Sequence, residues 1–126
     1  DIVIPKTTYS GFFGTRLEET LKKLGVDALR ITGCVTHICV LFTASDAVLR
    51  DYPVTVVRDG VAGLAKEDHD AALRIMKNVM GVNIVRSAES FDGLMMVSGV
   101  EPCGMWSDKT RFSRIYTPHS SLSTSH

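Results

Sequence analysis

Short apolar segments alternate with amphipathic segments over the first 88 residues of the chain. Proline, glycine or an Asp-Gly pair bounds the apolar segments, which is typical of buried β-strands. In the segments between them, apolar positions recur three and four residues apart, which predicts α-helices. We therefore predict strands at residues 2–4, 28–32, 54–57 and 82–85, and helices at residues 15–24, 38–50 and 66–80.

Each predicted helix has a recognisable end or face. Thr15 and Glu18 have the spacing of a capping box, which predicts the start of the first helix, and Gly25 would end it. Helical periodicity predicts which residues of the other two helices face the core. They are Ala44, Ala47 and Val48 in the second helix, and Ala72, Ile75, Met76 and Val79 in the third.

The alternation of strands and helices predicts an α/β fold, in which helices cover both faces of a parallel sheet. The pattern fades after residue 90, where residues 93–97 fit either a short strand or a buried turn. We interpret residues 89–126 as a loosely ordered C-terminal extension. In it, Trp106, Phe112 and Tyr116 could pack on the core or on a neighbouring subunit.

The composition excludes several classes of protein. Hydrophobic residues make up 44% and charged residues 22%, as in ordinary globular domains. The 14 basic and 14 acidic side chains cancel, which removes electrostatic attraction to nucleic acid or to an anionic membrane. No apolar run reaches the roughly 18 residues of a transmembrane helix. The odd count of 3 cysteines fits a reducing compartment, so we expect a cytoplasmic domain.

The segment Gly33-Cys-Val-Thr-His-Ile-Cys39 joins the end of the second predicted strand to the start of a helix. Ligands of open α/β sheets bind at such strand ends. A helix N-terminus favours the thiolate form of a cysteine, and its free N–H groups can hold an oxyanion. Cys39 is therefore a candidate nucleophile. The alternative is a buried structural cysteine, because free cysteines are commonly buried.

Lys6 follows the first predicted strand and lies at the same edge of the sheet as Cys39 if the strands are parallel. A lysine ammonium near a thiol stabilises the thiolate. The alternative is an ordinary solvated lysine.

Several motifs occur in the order and spacing found in one enzyme superfamily. They are Lys6-Thr-Thr-Tyr-Ser-Gly-Phe-Phe-Gly14, Ile31-Thr-Gly-Cys-Val-Thr-His-Ile-Cys-Val40, Thr43-Ala-Ser-Asp-Ala47 and Val56-Val-Arg-Asp59. Over residues 1–88 the chain resembles the isochorismatase-like cysteine hydrolases, which include nicotinamidases, N-carbamoylsarcosine amidases and ureidoacrylate amidases. The resemblance implies a Rossmann-like three-layer α/β/α sandwich with a six-stranded, mainly parallel sheet. Residues 1–88 would be the C-terminal part of that domain.

The resemblance also implies roles for individual residues. Cys39 matches the nucleophile, and Lys6 matches the lysine, of an Asp–Lys–Cys triad. A cis peptide bond is implied between Cys34 and Val35, with the N–H groups of Val35 and Cys39 as the oxyanion hole. The residues implied in substrate binding are Tyr9, Phe12, Cys34, Thr36 and His37, although His37 could equally fill a helix N-terminus.

Two features of the family are expected upstream of this chain. The triad aspartate ends a strand that precedes the lysine, and Asp1 does not match it because Asp1 lies on the same strand as Lys6. The metal cluster of nicotinamidases also lies upstream of the lysine. No histidine pair here has metal-ligand spacing, so we expect no metal site and no other cofactor within these residues.

The sequence therefore predicts a cysteine hydrolase that cleaves a C–N bond of a small amide or ureido compound through a thioester. The resemblance implies a homo-oligomer, either a dimer or a tetramer. The alternatives are a non-catalytic binding or assembly module, an inactive fragment that lacks the triad aspartate, a nicotinamidase or isochorismatase proper, and a thiol redox sensor that uses Cys34 and Cys39.

Overall fold

The computed structural model describes residues 2–88, 94–100 and 111–116. Within these ranges the chain forms the strands β1 (Ile2–Pro5), β2 (Leu29–Cys34), β3 (Val54–Ala62), β4 (Asn83–Val85), β5 (Leu94–Val100) and β6 (Arg111–Tyr116). The helices are α1 (Leu17–Lys23), α2 (Leu41–Leu49), which directly continues a π-helical turn (Thr36–Val40), and α3 (Lys66–Asn78). In the described ranges, no helix is both long and apolar enough to cross a bilayer.

The six strands form one sheet in the order β1-β6-β5-β2-β3-β4. The pairs β5–β2, β2–β3 and β3–β4 are parallel, whereas β6 pairs antiparallel with both β1 and β5. The prediction of an α/β fold with a mainly parallel sheet is thus confirmed. The antiparallel β6 is the departure from an all-parallel arrangement.

The two strands beyond residue 88 belong to the same sheet as the earlier ones. β5 lies beside β2, in a register that pairs Leu29 with Leu94 and Cys34 with Gly99. Residues 93–97 fitted either a strand or a turn, and the structure has a strand from Leu94. The sequence did not predict β6, because its pattern of polar and apolar positions was too weak. Trp106 and the side chains of Phe112 and Tyr116 lie outside the described residues.

Helix α1 begins differently from the prediction. Its first residue is Leu17, and its N-cap residue, Arg16, forms no capping hydrogen bond with its side chain. The Thr15 hydroxyl accepts a bond from the Leu17 N–H (3.2 Å) and donates to the Gly11 carbonyl (2.5 Å). Glu18 does not reach back to form a capping box, because its carboxylate pairs with Arg50 (2.5 Å). The hydrogen bond from Arg50 lowers the pKa of Glu18. The predicted capping box is therefore wrong.

The buried face of α3 is also rotated from the prediction. Ala72, Leu73 and Met76 are buried, but Ile75 is 43% exposed and Val79 is 77% exposed. Val79 lies after the end of the helix at Asn78. Ile75 lies roughly 100° around the helix from the centre of the buried stripe, since successive residues are about 100° apart.

The hydrophobic core joins all the described layers. Its fully buried side chains come from strands, helices and the π-helical turn: Ile4, Leu17, Leu21, Ile31, Val40, Val56, Met76 and Ile115. The Ala44 and Ala47 side chains of α2 are fully buried, as predicted, and the partly buried Val48 packs against the same cluster. Burial of these side chains is the main stabilising contribution to the fold.

Candidate active site

Cys39 lies in the turn that follows the carboxyl end of β2. Gly33, with φ of +120°, allows a backbone direction that other residues rarely adopt. The turn closes through hydrogen bonds from the Ile38 N–H (3.1 Å) and the Val40 N–H (3.2 Å) to the Val35 carbonyl. The Cys34–Val35 peptide bond is cis, as the resemblance implied. We refer to residues 34–40 as the cysteine turn.

The two cysteines of this turn are in different chemical states. Cys39 is a free thiol and is 1% exposed. Cys34 is disulfide-bonded and therefore offers no free thiol to a ligand. Because Cys39 is free, the disulfide that a Cys34–Cys39 redox sensor requires is not formed in this structure.

Lys6 is buried at the carboxyl end of β1. It is 5% exposed, and its Nζ donates to the carbonyls of Tyr9 (2.8 Å) and Thr8 (3.3 Å). Because β1 is antiparallel to β6, and β6 to β5, β1 runs in the same direction as β2. Lys6 and Cys39 therefore follow the same edge of the sheet, although three strand spacings, roughly 14 Å, separate the axes of β1 and β2.

The loop after Lys6 spans this distance and docks on α2. The Ser10 hydroxyl donates to Asp46 Oδ2 (2.5 Å), and the Gly11 N–H donates to Thr43 Oγ1 (2.9 Å). Ser10 and Thr43 are both buried, and the bond between Gly11 and Thr43 is shielded from water, where a hydrogen bond is strong. We call residues 7–15 the lysine loop. Its attachment links the segment after Lys6 to the helix that follows Cys39.

The two aromatic residues predicted to contact substrate occupy different environments. Tyr9 is 41% exposed, and its ring stacks on Phe42 with centroids 5.6 Å apart. Phe12 is buried in the core, and the Arg50 guanidinium lies 4.8 Å from its ring centroid. Tyr9 thus lies at an accessible surface. Phe12 attaches the lysine loop to the hydrophobic core. Their contact with substrate stays a prediction.

Helix α3 contacts the cysteine turn through two histidines. Thr36 is fully buried, and its Oγ1 shares a hydrogen bond with Nδ1 of His69 (2.8 Å). His37 Nε2 lies 3.9 Å from Asp68 Oδ2. Within the described residues, the buried Nδ1 atom of His37 has no hydrogen-bond partner. The sequence did not indicate the bond between Thr36 and His69, because the two residues are 33 positions apart.

The sequence indicated no role for the polar residues that receive the lysine loop. Thr43 and Asp46 lie in α2, and Arg50 follows its last residue, all at helical spacing. That spacing is a signal of a polar contact face, and it could have identified them. Arg50 pairs with both Asp46 (3.5 Å) and Glu18, which fixes α1 against α2.

The described residues do not supply the metal site of nicotinamidases. Over the ranges described, no group of three or more His, Cys, Asp or Glu side chains could hold a metal ion. What these residues do provide is a free thiol at a strand end, a buried ammonium at the same edge of the sheet, and a loop that joins the two segments.

Comparison with known proteins identifies the family. A family model described as the isochorismatase domain matches residues 1–89. The chain belongs to the isochorismatase family. This confirms the resemblance inferred from the motifs around Lys6 and Cys39.

Three relatives illustrate the range of this family. The chain is 40% identical over 84 residues to the uncharacterized isochorismatase family protein YaaI of Bacillus subtilis, a match that covers 67% of this chain and 46% of YaaI. It is 44% identical over 80 residues to a probable inactive nicotinamidase of Arabidopsis thaliana (63% and 41% covered). It is 35% identical over 105 residues to the ureidoacrylate amidohydrolase RutB of Methylobacterium radiotolerans (82% and 40% covered).

Solved structures of the family share the fold. The nicotinamidase SaPncA from Staphylococcus aureus matches with a TM-score of 0.63 and 38% identity, over 64% of this chain and 52% of that chain. The fold is therefore that of an isochorismatase-like hydrolase. The chain spans less than half the length of the three curated relatives above.

Proposed function

We propose that this chain carries the nucleophile of a hydrolase that cleaves a C–N bond of a small amide or ureido compound. The observation that carries the proposal is the free, buried thiol of Cys39 in the turn after β2. Carboxyl ends of parallel strands are where α/β sheets bind their ligands. A family relative named as a ureidoacrylate amidohydrolase supports the substrate class.

In the first step, the Cys39 sulfur attacks the carbonyl carbon of the amide. The thiol proton passes to the leaving nitrogen, the C–N bond breaks, and ammonia or an amine departs while a thioester remains on Cys39. Water then hydrolyses the thioester, releases the acid and restores the thiol. The N–H groups of Val35 and Cys39 would hold the oxyanion formed in both steps.

Lys6 would supply positive charge to this edge of the sheet. Its ammonium is held by two backbone carbonyls, those of Thr8 and Tyr9, so its position is fixed before substrate binds. A buried ammonium acts over several ångströms because few water molecules screen it. We assign no general base among the described residues, since the family resemblance places that aspartate upstream of Lys6.

Substrate would enter beside the stacked pair of Tyr9 and Phe42. An exposed aromatic pair at the mouth of a site favours a planar group, such as an amide conjugated to a ring or to a double bond. Thr36 and His37 would line the opposite side. The Nδ1 atom of His37, which lacks a partner among the described residues, is available to bind a polar substrate atom.

The test is ammonia release from a panel of nicotinamide, ureidoacrylate and N-carbamoyl amino acids. For any amide that is turned over, Cys39→Ala should lower the rate at least about 10³-fold, because the nucleophile is lost. The melting temperature should confirm that the variant is folded. Lys6→Ala should also lower the rate, whereas the exposed control Lys22→Ala should not.

Turnover retained by Cys39→Ala would contradict the proposal. Absence of turnover in the whole panel by the folded chain would instead favour a non-catalytic binding module. That outcome would agree with the relative named as a probable inactive nicotinamidase.

A further inference from the structure

A cleft of about 410 Å³ lies between α3 and the β3–β4 edge of the sheet. Its basic side chains are Arg58, Arg74, Lys77 and Arg86, and its apolar floor includes Leu73 and Ile84. We call it the basic cleft. Neither Lys6 nor any residue of the cysteine turn lines it, so it is separate from the proposed active site. Its volume is in the range of small-molecule sites, about 300–1,000 Å³.

A bulge in β3 positions Arg58 in this cleft. Ile31 pairs with Val56 and Gly33 pairs with Val61, so β3 has four residues where β2 has one. Gly60 permits the bulge, because a Cβ at that position would lie 2.9 Å from Thr32 Cγ2. The bulge begins immediately after Val56, so Val57 and Arg58 both lie in it.

Asp59 of β3 holds the segment that follows β4 in place beside the cleft. Asp59 accepts hydrogen bonds from both the N–H (2.7 Å) and the hydroxyl (2.5 Å) of Ser87. These bonds hold the residue after Arg86 against the bulge that carries Arg58. Since Val57 pairs with Val85, the two arginines follow neighbouring positions of adjacent strands. They are thus held side by side by the backbone, at the open edge of the sheet.

Basic side chains outnumber acidic ones in the lining of the cleft. The chain as a whole has 14 basic and 14 acidic side chains, yet four basic side chains and the single carboxylate of Asp70 line this cleft. Asp70 already pairs with Lys66 (2.5 Å), which lowers the pKa of Asp70. In the part of the chain described, Arg58, Arg74 and Lys77 form no ion pair.

Like charges held together in water repel one another, and an anionic ligand relieves that repulsion. Arginine forms paired hydrogen bonds with phosphate and carboxylate groups, which suits Arg58 in β3 and Arg86 just after β4. Arg74 and Lys77 are one turn apart on the exposed face of α3, so they can contact a second anionic group. Ile84 and Val85, which are partly exposed, provide apolar surface in the lining of the cleft.

We infer that the basic cleft binds a small phosphorylated organic molecule, with its phosphates on the four basic side chains and its organic part on the apolar floor. This site does not depend on Cys39. It would allow a phosphorylated metabolite to bind the protein while an amide occupies the site at Cys39.

The experiment is calorimetric titration of the full chain with ADP, pyrophosphate and adenosine. We expect ADP to bind with a dissociation constant below about 1 mM, and more tightly than either pyrophosphate or adenosine, because it uses both parts of the cleft. The double variant Arg58→Ala/Arg74→Ala should bind ADP at least about tenfold more weakly, since charge-assisted hydrogen bonds are lost. Raising the salt concentration should weaken binding further.

The matched control is Lys22→Ala/Lys23→Ala, which removes the same number of basic side chains from the exposed surface of α1. It should bind ADP as the wild type does. The inference is overturned if ADP does not bind at about 5 mM, if the control weakens binding equally, or if pyrophosphate binds as tightly as ADP. Circular dichroism shows whether each variant is folded, and a second variant, Lys77→Ala/Arg86→Ala, repeats the test if the first is not.

Discussion

The cysteine turn and the basic cleft lie on opposite faces of the same helix. On its buried face, α3 contacts the cysteine turn, where Thr36 and Cys39 are excluded from water and Thr36 is bonded to His69. On its exposed face, Arg74 and Lys77 line the cleft in contact with solvent. Packing and hydrogen bonds therefore determine the structure of the cysteine turn, whereas charge determines what the basic cleft can bind. Mutations in the core should destabilise the cysteine turn, and added salt should weaken ligand binding in the basic cleft.

The largest expected effect separates the two faces of α3. Met76→Ala should lower the free energy of unfolding by about 2–5 kcal/mol, because it leaves a cavity in the core next to the helix. Arg74→Ala, two positions earlier on the exposed face, should change it by less than about 0.5 kcal/mol. Urea denaturation measures both. Equal destabilisation by the two variants would contradict the assignment of buried and exposed faces.

The next effect concerns the bulge that shapes the cleft. Gly60→Ala should destabilise the protein by about 1–3 kcal/mol, because the added methyl group would overlap Thr32 Cγ2. Thr32→Ser removes that methyl group from the neighbour and should restore part of the loss in the double variant. Thermal unfolding of the wild type, the two single variants and the double variant completes a double-mutant cycle of stability. If the two substitutions were simply additive, the close contact would not be the cause.

A smaller effect is expected at the hydrogen bond that joins α3 to the cysteine turn. Thr36→Val keeps the shape of the side chain but removes its hydroxyl, and it should cost about 1–2 kcal/mol because His69 loses a buried partner. The control Thr20→Val removes a hydroxyl that bonds only to the exposed carbonyl of Arg16. Chemical denaturation measures the free energy of unfolding of both variants. A larger loss of unfolding free energy in the control would contradict the stabilising role of the bond between Thr36 and His69.

The smallest effect is a dependence on pH at the cleft. Hydrogen bonds from Ser87 lower the pKa of Asp59, so the carboxylate stabilises the folded state at pH values above its unfolded pKa of about 3.9. This stabilisation is lost as the pH falls through the lower pKa of the folded state. The difference in stability between the wild type and Asp59→Asn should therefore be constant from pH 5 to 7 and shrink below about pH 4. A difference that does not change over this range would contradict the role assigned to Asp59.

The sequence predicted the elements whose signals are local. Strands at residues 2–4, 28–32, 54–57 and 82–85 were all found, because turn residues and apolar runs define them. The predicted end of the third strand is wrong, since β3 continues through Asp59 and Gly60 to Ala62. The predicted second helix was found as the π-helical turn and α2 together. The predicted capping box is wrong because of a long-range contact: Glu18 pairs with Arg50, which is 32 positions away along the chain.

Features that depend on distant contacts were not predictable in the same way. The position of β6 between β1 and β5 rests on pairing between residues more than 100 positions apart along the chain. The basic cleft assembles Arg58, Arg74 and Arg86 from three separate elements, and each looked like an ordinary surface arginine in the sequence. Cys39 and Lys6 were singled out because strand ends are local features with a known geometric consequence.

The central claim of this account is that Cys39 forms a covalent bond with its substrate. The most direct measurement is mass spectrometry of the chain, quenched with acid during turnover of a slowly hydrolysed amide. We predict an acyl adduct, mapped by fragmentation to Cys39, that is absent in Cys39→Ala. Turnover without an adduct on Cys39, or an adduct on another residue, would contradict the claim.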